Sequence, residues 1–204
     1  MKAMADSDWR DGFLFLGNQL VLDFINTRPV MNGEPVELLP DFDAILRWFQ
    51  AAGSLGAGDA ERMRQQFGGS RRARRVVEAA RELREKLREE ILRWEGGAEV
   101  RRPMLAELNR LMEERPMRKR LVHLPGGLRV EPWFRLEQPE DLFAPLAESA
   151  VSLFTGVSHD RVRKCPACVL HFHDTSKKGT RRWCSMRLCG NRQKVAAYAA
   201  RQRN

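Results

Sequence analysis

Four cysteines are the residues with the clearest capacity for chemistry in this chain, and all lie within its last forty residues. Two residues separate Cys165 from Cys168, four separate Cys184 from Cys189, and fifteen connect the two pairs. Pairs at such spacing let one chain place four thiolates around a tetrahedral zinc ion, at Zn–S distances of about 2.3 Å. The spacing therefore predicts a zinc site with these four cysteines as ligands.

Four thiolate ligands fill the coordination shell, so the predicted site is structural, because catalytic zinc keeps a position for water or substrate. Two disulfides would also use all four cysteines, but the chain has the character of an intracellular protein. A redox dithiol at Cys165 and Cys168 would leave the other pair unexplained. His171 and His173 could act as substitute ligands, but with four sulfurs available we interpret them as ordinary strand residues.

The residues around the cysteines predict how they are positioned. Residues 169–175 alternate in polarity, the SKKG run signals a turn, and 180–184 would return as a second strand that ends at Cys184. Residues 187–203 are rich in alanine and long polar side chains, which favours a terminal helix with Cys189 in its first turn. The order of knuckle, hairpin and helix predicts a treble-clef-like zinc module.

These residues carry a family resemblance. CPAC, the F-x-D-x-S run at Phe172, Asp174 and Ser176, then RRWCSM and CGNR resemble the CGNR zinc-finger family. The upstream LGNQLVLDFINTRP resembles the opening of the ABATE domain, which commonly precedes that finger. Together the two resemblances cover nearly the whole chain. They imply a stress-induced transcription regulator whose finger binds DNA.

Charge is distributed unevenly along the chain. The net charge is +9, with 43% hydrophobic and 31% charged residues, a composition typical of a soluble globular protein. Residues 161–204 hold twelve Lys/Arg against one acidic residue, Asp174, whereas the first 160 hold 24 basic against 26 acidic residues. The finger remains strongly positive after four thiolates bind one Zn²⁺. A polyanion is the natural partner, and duplex DNA is the form that we predict.

One stripe of the terminal helix could face that partner. At about 100° per residue it contains Arg187, Asn191, Lys194, Tyr198 and Arg201. Arg and Asn side chains can form bidentate contacts with bases, and Lys can hold phosphate. The predicted nucleic-acid contacts are Arg181, Arg182, Arg187, Asn191, Arg192, Lys194 and Arg201.

Structural roles compete with several of these contacts. Arg187 and Arg192 could fold back towards the thiolates, and Asn191 could bond a sulfur or cap the helix. Trp183 and Phe172 could stack on bases or form a small core beside the metal.

The first 158 residues predict a mainly helical domain. Apolar residues recur at intervals of three and four, the spacing that buries one face of a helix. Predicted helices run from an Asn18 cap to about Asn26, at 41–52, at 59–67, at 71–95, from Pro103 through Met112, and at 139–154 with a break at Pro145. At 118–124 and 128–133 the period becomes two, which predicts one hairpin. The fold class is therefore α+β, with a helical domain at 1–158 and a small zinc finger at 159–204.

Two features of the helical domain allow alternative roles. Asp23 and Asn26 could contact a small-molecule ligand, or they could hydrogen-bond within the fold, which we favour. The RRARR run at 71–75 could bind phosphate, although charge runs on helices are more often solvated faces. The domain could also serve as a homodimer surface.

Several classes of protein are disfavoured by the sequence. The apolar run at 13–25 contains Asn18, Gln19 and Asp23, so it is neither a signal peptide nor a membrane span, and we expect a cytoplasmic protein. No phosphate-binding glycine loop or nucleophile elbow is recognisable, so we do not expect an enzyme. The prediction is a zinc-binding, DNA-binding transcription regulator. The alternatives are an RNA- or protein-binding module with a ligand-sensing or dimerising N-terminal domain, and a thiol-redox enzyme.

Overall fold

The structure is a computed structural model that describes residues 8–202, so residues 1–7 of the predicted helical domain and residues 203–204 of the predicted finger lie outside the described residues. Within this range the chain is mainly helical, and its strands form small antiparallel pairs. The predicted α+β class is confirmed. The α-helices are α1 (Leu20–Ile25), α2 (Phe42–Ala51), α3 (Ala57–Phe67), α4 (Arg71–Glu95), α5 (Arg102–Glu114), α6 (Phe143–Gly156) and α7 (Asn191–Gln202).

Side-chain caps fix the start of two helices at the predicted residues. Asp41 accepts a hydrogen bond from the Ala44 N–H at the start of α2, and Ser70 accepts one from the Ala73 N–H at the start of α4. The apolar stripe of α4 is buried along its length, and both predicted bounds of this helix are confirmed. Helix α4 therefore forms one wall of the main core.

Two predicted helix details are wrong. Helix α1 begins after Gln19, which is extended and makes no side-chain cap, whereas Asn18 has a φ of 60° and points its amide elsewhere. Pro145 does not break the last helix of the domain. A 3₁₀ turn at Pro139–Leu142 precedes α6, so Pro145 lies in the first turn of α6, where the missing N–H has no helical partner to lose.

The helical domain contains the predicted hairpin and two shorter strand pairs. Strands β5 (Arg118–Leu124) and β6 (Gly127–Trp133) pair in antiparallel register from Arg118 opposite Trp133 to Leu124 opposite Gly127. The shorter strands have two residues each, too few to show a polarity pattern. They are β1 (Trp9–Arg10) with β2 (Phe13–Leu14), and β3 (Val30–Met31) with β4 (Glu34–Pro35).

The hairpin of the finger differs from the prediction. Strand β8 (His171–His173) pairs with β7 (Val162–Lys164), so the CPAC knuckle forms the connection between them. The stretch 180–184 is not a strand. It is held as a loop by Asp174, whose carboxylate accepts hydrogen bonds from the Ser176 and Arg181 N–H groups.

Two apolar clusters organise the described residues. The larger one contains residues from all six helices α1 to α6, and its Trp48 is fully buried. The smaller one surrounds the cysteines and joins residues from both predicted domains: Leu14, Leu16, Cys165, Leu170, Phe172, Cys184 and Cys189. Among the described helices, none has the length and apolar character needed to cross a bilayer.

Candidate metal centre and nucleic-acid interface

The four cysteines converge on one point. Their Sγ atoms all lie within 4.8 Å of one another, and Cys165, Cys184 and Cys189 are buried. The Sγ atom of Cys184 lies 3.5 Å from that of Cys168 and 3.6 Å from that of Cys189. Tetrahedral zinc with Zn–S bonds of about 2.3 Å needs sulfurs roughly 3.8 Å apart. All four thiols are unpaired, so the geometry fits zinc and not disulfides.

Crowding of the sulfur atoms separates their pKa values. Hydrogen bonds from Cys168 and Cys184 lower the pKa of Cys165, because they stabilise its thiolate. The hydrogen bond to Cys165 raises the pKa of Cys168 to about 12, and the pKa of Cys184 is raised for the same reason. Once Cys165 is ionised, its negative charge opposes ionisation of the Cys168 and Cys184 thiols. A divalent cation at the centre would remove that opposition and hold all four as thiolates.

Local structure places the second cysteine pair. A single π-helical turn at Met186–Gly190 precedes α7. Cys189 lies in this turn, whereas the sequence predicted it in the first turn of the terminal helix. Ser185 caps the turn by accepting hydrogen bonds from the Arg187 and Leu188 N–H groups. The wider turn directs Cys189 inwards, towards the other three sulfurs.

Two of the predicted nucleic-acid contacts are engaged inside the finger. The Arg181 guanidinium donates to the carbonyls of Trp183 and Cys184 and lies 4.4 Å from the centre of the Phe172 ring. Arg192 donates to the Ala167 carbonyl at 3.1 Å and lies 3.7 Å from the Cys189 sulfur. Arg192 thus holds the knuckle and lies beside a cysteine sulfur, the alternative role considered for it, whereas Arg181 holds the loop before the second cysteine pair.

The remaining predicted contacts are exposed, as Arg192 also is. Arg182, Arg187, Asn191, Lys194 and Arg201 all have solvent-exposed side chains. Arg182 lies over the Trp183 ring at 4.8 Å. Arg182, Arg187 and Lys194 line one groove of about 730 Å³ together with Arg181 and Trp183. The structure therefore gathers four of the predicted cations along one concave surface, whereas Arg201 lies near the far end of α7.

Both histidines of β8 make protein contacts. His171 is buried, its Nδ1 lies 3.0 Å from a Glu95 carboxylate oxygen, and its backbone N–H and C=O both bond the Asn26 side chain. His173 donates its N–H to the Gly17 carbonyl at 2.8 Å, and burial lowers the pKa of its ring. Among the described residues, the candidate metal cluster contains the four cysteines and neither histidine.

Residues 15–17 contact both the helical domain and the finger. The sequence did not indicate that this segment lies near the metal site. The Leu16 carbonyl accepts from Arg181 at 3.3 Å, and Gly17 approaches α1 so closely that a Cβ atom there would lie 2.6 Å from the Leu22 Cβ. On its other side, the Leu16 and Gly17 N–H groups donate to one Asp23 oxygen at 2.9 and 2.7 Å. The contact between Leu16 and Arg181 joins residues remote in the chain, so no sequence pattern signals it.

Asp23 is a buried carboxyl group, and burial raises its pKa to about 6 despite the two N–H donors and the charge of Arg10. It lines a second cavity, of about 540 Å³, between α1 and α6. The expectation that Asp23 and Asn26 hydrogen-bond within the fold agrees with these contacts.

Comparison with known families assigns both parts of the chain. Residues 18–157 match the ABATE family, described as "Putative stress-induced transcription regulator", and residues 161–202 match the CGNR zinc finger. No curated protein matches the chain. The predicted family architecture is confirmed, and the clustered cysteines give the finger a site for zinc. Neither family description names a catalytic activity. This chain therefore belongs to the ABATE family and carries a CGNR zinc finger at its C-terminal end.

Proposed function

We propose that this protein is a transcription regulator that binds duplex DNA through the groove lined by Arg182, Arg187 and Lys194. The observation that supports this most directly is the clustering of these cations on one concave surface beside the zinc site. In this proposal Cys165, Cys168, Cys184 and Cys189 ligate the ion, and the zinc is structural.

Each groove residue would have a distinct task. Lys194 on α7 and Arg182 on the preceding loop would contact phosphates, which provide affinity without sequence selection. Arg187 lies on the π-helical turn, and its planar guanidinium could form a bidentate contact with guanine in the major groove. Asn191 is the exposed first residue of α7 and could read adenine in the same way. Arg181 and Arg192 would hold the loop and the knuckle in shape.

The backbone contacts of the half-buried Arg181 favour a preformed surface. Its guanidinium ties the 180–184 loop to Leu16, so the loop that carries Arg182 is fixed before any ligand binds. A preformed groove avoids the entropic cost of ordering a loop on binding.

A salt titration with a matched variant tests the proposal. The zinc-loaded protein would be titrated with labelled duplex DNA at several salt concentrations, beside an Arg182→Ala, Arg187→Ala, Lys194→Ala triple variant. Loss of the two phosphate contacts of Arg182 and Lys194 would reduce the slope of log K against log salt by about 2, and loss of Arg187 would weaken binding further. A control triple variant, Arg71→Ala, Arg74→Ala, Arg75→Ala, removes the same charge from α4 and should leave the slope unchanged.

The outcomes separate the alternatives. Equal slopes for the wild type and the groove variant would contradict the assigned surface. A reduced slope in the α4 control, with no change in the groove variant, would place binding on the RRARR run. A labelled hairpin RNA in the same assay distinguishes the RNA-binding alternative. Tighter binding of RNA than of duplex DNA would overturn the choice of DNA as the partner.

A further inference from the structure

The cavity beside Asp23 has the dimensions of a small-molecule site. It occupies about 540 Å³, within the range of about 300–1,000 Å³ typical of ligand pockets. Its walls come from α1, α6 and the end of β6, and their apolar part includes Phe15, Leu20 and Phe134. The cavity is separate from the groove assigned to nucleic acid, except that Phe15 lines both.

The charged groups of this cavity favour a cation. Two carboxylates line it, Asp23 from α1 and Glu148 from α6, against one guanidinium, that of Arg10. Arg10 already lies over the Phe15 ring, 3.9 Å from its centre. The lining therefore has excess negative charge when both carboxyl groups are ionised.

Asp23 provides a defined contact point. This residue is only 8% exposed, and one oxygen, Oδ1, accepts hydrogen bonds from the Leu16 and Gly17 N–H groups. Among the described residues, Oδ2 accepts no hydrogen bond. Burial raises the pKa of this carboxyl group although the charge of Arg10 opposes the shift, so the cost of burying its charged form is only partly compensated. A cationic donor would correct this imbalance.

We propose that this cavity binds a small organic cation, a protonated amine on an apolar body, whose ammonium group donates to Asp23 Oδ2. The apolar body would pack against Phe15 and Leu20, and Glu148 at the exposed edge would add electrostatic attraction. The hydroxyl of Ser149 already accepts from the Val21 N–H at 3.0 Å, so it is a fixed part of the wall.

Residues 15–17 contact both the proposed ligand site and the finger. An ammonium ion at Asp23 would change the charge that Leu16 and Gly17 experience, and these residues hold Arg181 and His173 through their carbonyls. Phe15 would contact both the ligand and the groove. Occupancy is therefore expected to change the affinity for DNA, a step that rests on the proposed function.

Three matched probes test the chemical class. 2-Phenylethylamine, 2-phenylethanol and phenylacetate have similar bodies and differ in charge. Titration followed by NMR should show the amine binding at least about tenfold more tightly than the other two, with shifts at the Leu16 and Gly17 amides. Asp23→Asn keeps an oxygen for the two N–H donors and removes the charge, so it should lose this preference. Glu82→Gln, an exposed change on α4, should retain it.

Other results would overturn the site. Equal binding of the three probes, tighter binding of phenylacetate, or absence of shifts at Leu16 and Gly17 each contradicts the proposal. If Asp23→Asn does not fold, Ser152→Trp provides a second variant, since this exposed rim residue would block the cavity without disturbing the core. Undiminished amine binding by that variant would also exclude this cavity.

Measuring DNA affinity with and without saturating amine separates the two proposals. Amine binding with unchanged DNA affinity would exclude the route through the 15–17 segment and leave the site intact. Failure of the amine-free protein to bind DNA would contradict the proposed function alone, because the NMR titration contains no DNA.

Discussion

At the scale of single residues, Asp23 both holds a backbone segment in place and has a raised pKa. Its carboxylate fixes the 15–17 segment through two N–H donors, yet burial makes the charged form costly, and the pKa rises to about 6. The native state therefore binds a proton more tightly than the unfolded chain does. Such a group stabilises the fold at low pH and loses that contribution as pH rises through the native pKa.

We expect Asp23→Asn to remove this pH dependence. The free energy of unfolding of the wild type should fall by on the order of 1 kcal/mol between pH 5 and 7.5 from this group, while the variant lacks that contribution. The variant should thus gain stability relative to the wild type as pH rises. Urea unfolding at a series of pH values measures the difference. Glu148→Gln, an exposed change on the same cavity, should behave as the wild type, and a constant difference between wild type and Asp23→Asn would exclude the titration.

The metal site could be predicted from single residues, but which arginines are exposed could not. Thiol spacing alone identified the four cysteines, because few other structures need that pattern. Arginines carry no such signal. Arg181 and Arg182 are adjacent in the sequence, yet one donates to backbone carbonyls and the other is exposed. Which of them faces solvent depends on contacts with Leu16 and Phe172 that only the fold provides.

At the scale of elements, β8 is the centre of the finger. The alternation of 169–175 indicated a strand there, but its partner is the short basic stretch before the knuckle and not the predicted strand at 180–184. The three residues of β7 are too few for polarity to identify that strand. Strand β8 is also held from the helical domain, since the buried Asn26 side chain bonds both backbone groups of His171.

Asn26→Ala should therefore weaken the attachment of β8. The substitution leaves a buried N–H and a buried C=O without their partner, at a cost of roughly 2–4 kcal/mol in the free energy of unfolding. Hydrogen exchange at the His171 amide should accelerate with it. Asn18→Gly is the matched control, because it removes an exposed bond to His173 and tolerates the positive φ of Asn18. A similar, small loss in both variants would contradict the role of Asn26.

At the scale of the whole molecule, the finger and the helical domain share structure. Leu14 and Leu16 belong to the cysteine cluster, and Val162 of β7 belongs to the main core. Ser185 bonds the Asp8 carboxylate, and His171 pairs with Glu95 at the end of α4. The sequence predicted the order of the two parts and their helices. It could not predict this docking, because each contact depends on residues far apart in the chain with no periodic pattern.

Because of this docking, loss of zinc should affect more than the finger. A chelator would leave four crowded thiols without a cation, so the cluster of cysteines, Leu14 and Leu16 should open. We expect faster hydrogen exchange at 13–17 as well as at 162–190, while α4 stays protected, since its contacts belong to the main core. Excess zinc should restore protection and magnesium should not, because thiolates prefer the softer ion.

Native mass spectrometry should show one zinc ion per chain and a much weaker complex in Cys184→Ala. Unchanged exchange at 13–17 after chelation would show that the segment is held without the metal, and full retention of zinc by Cys184→Ala would remove that cysteine from the ligand set.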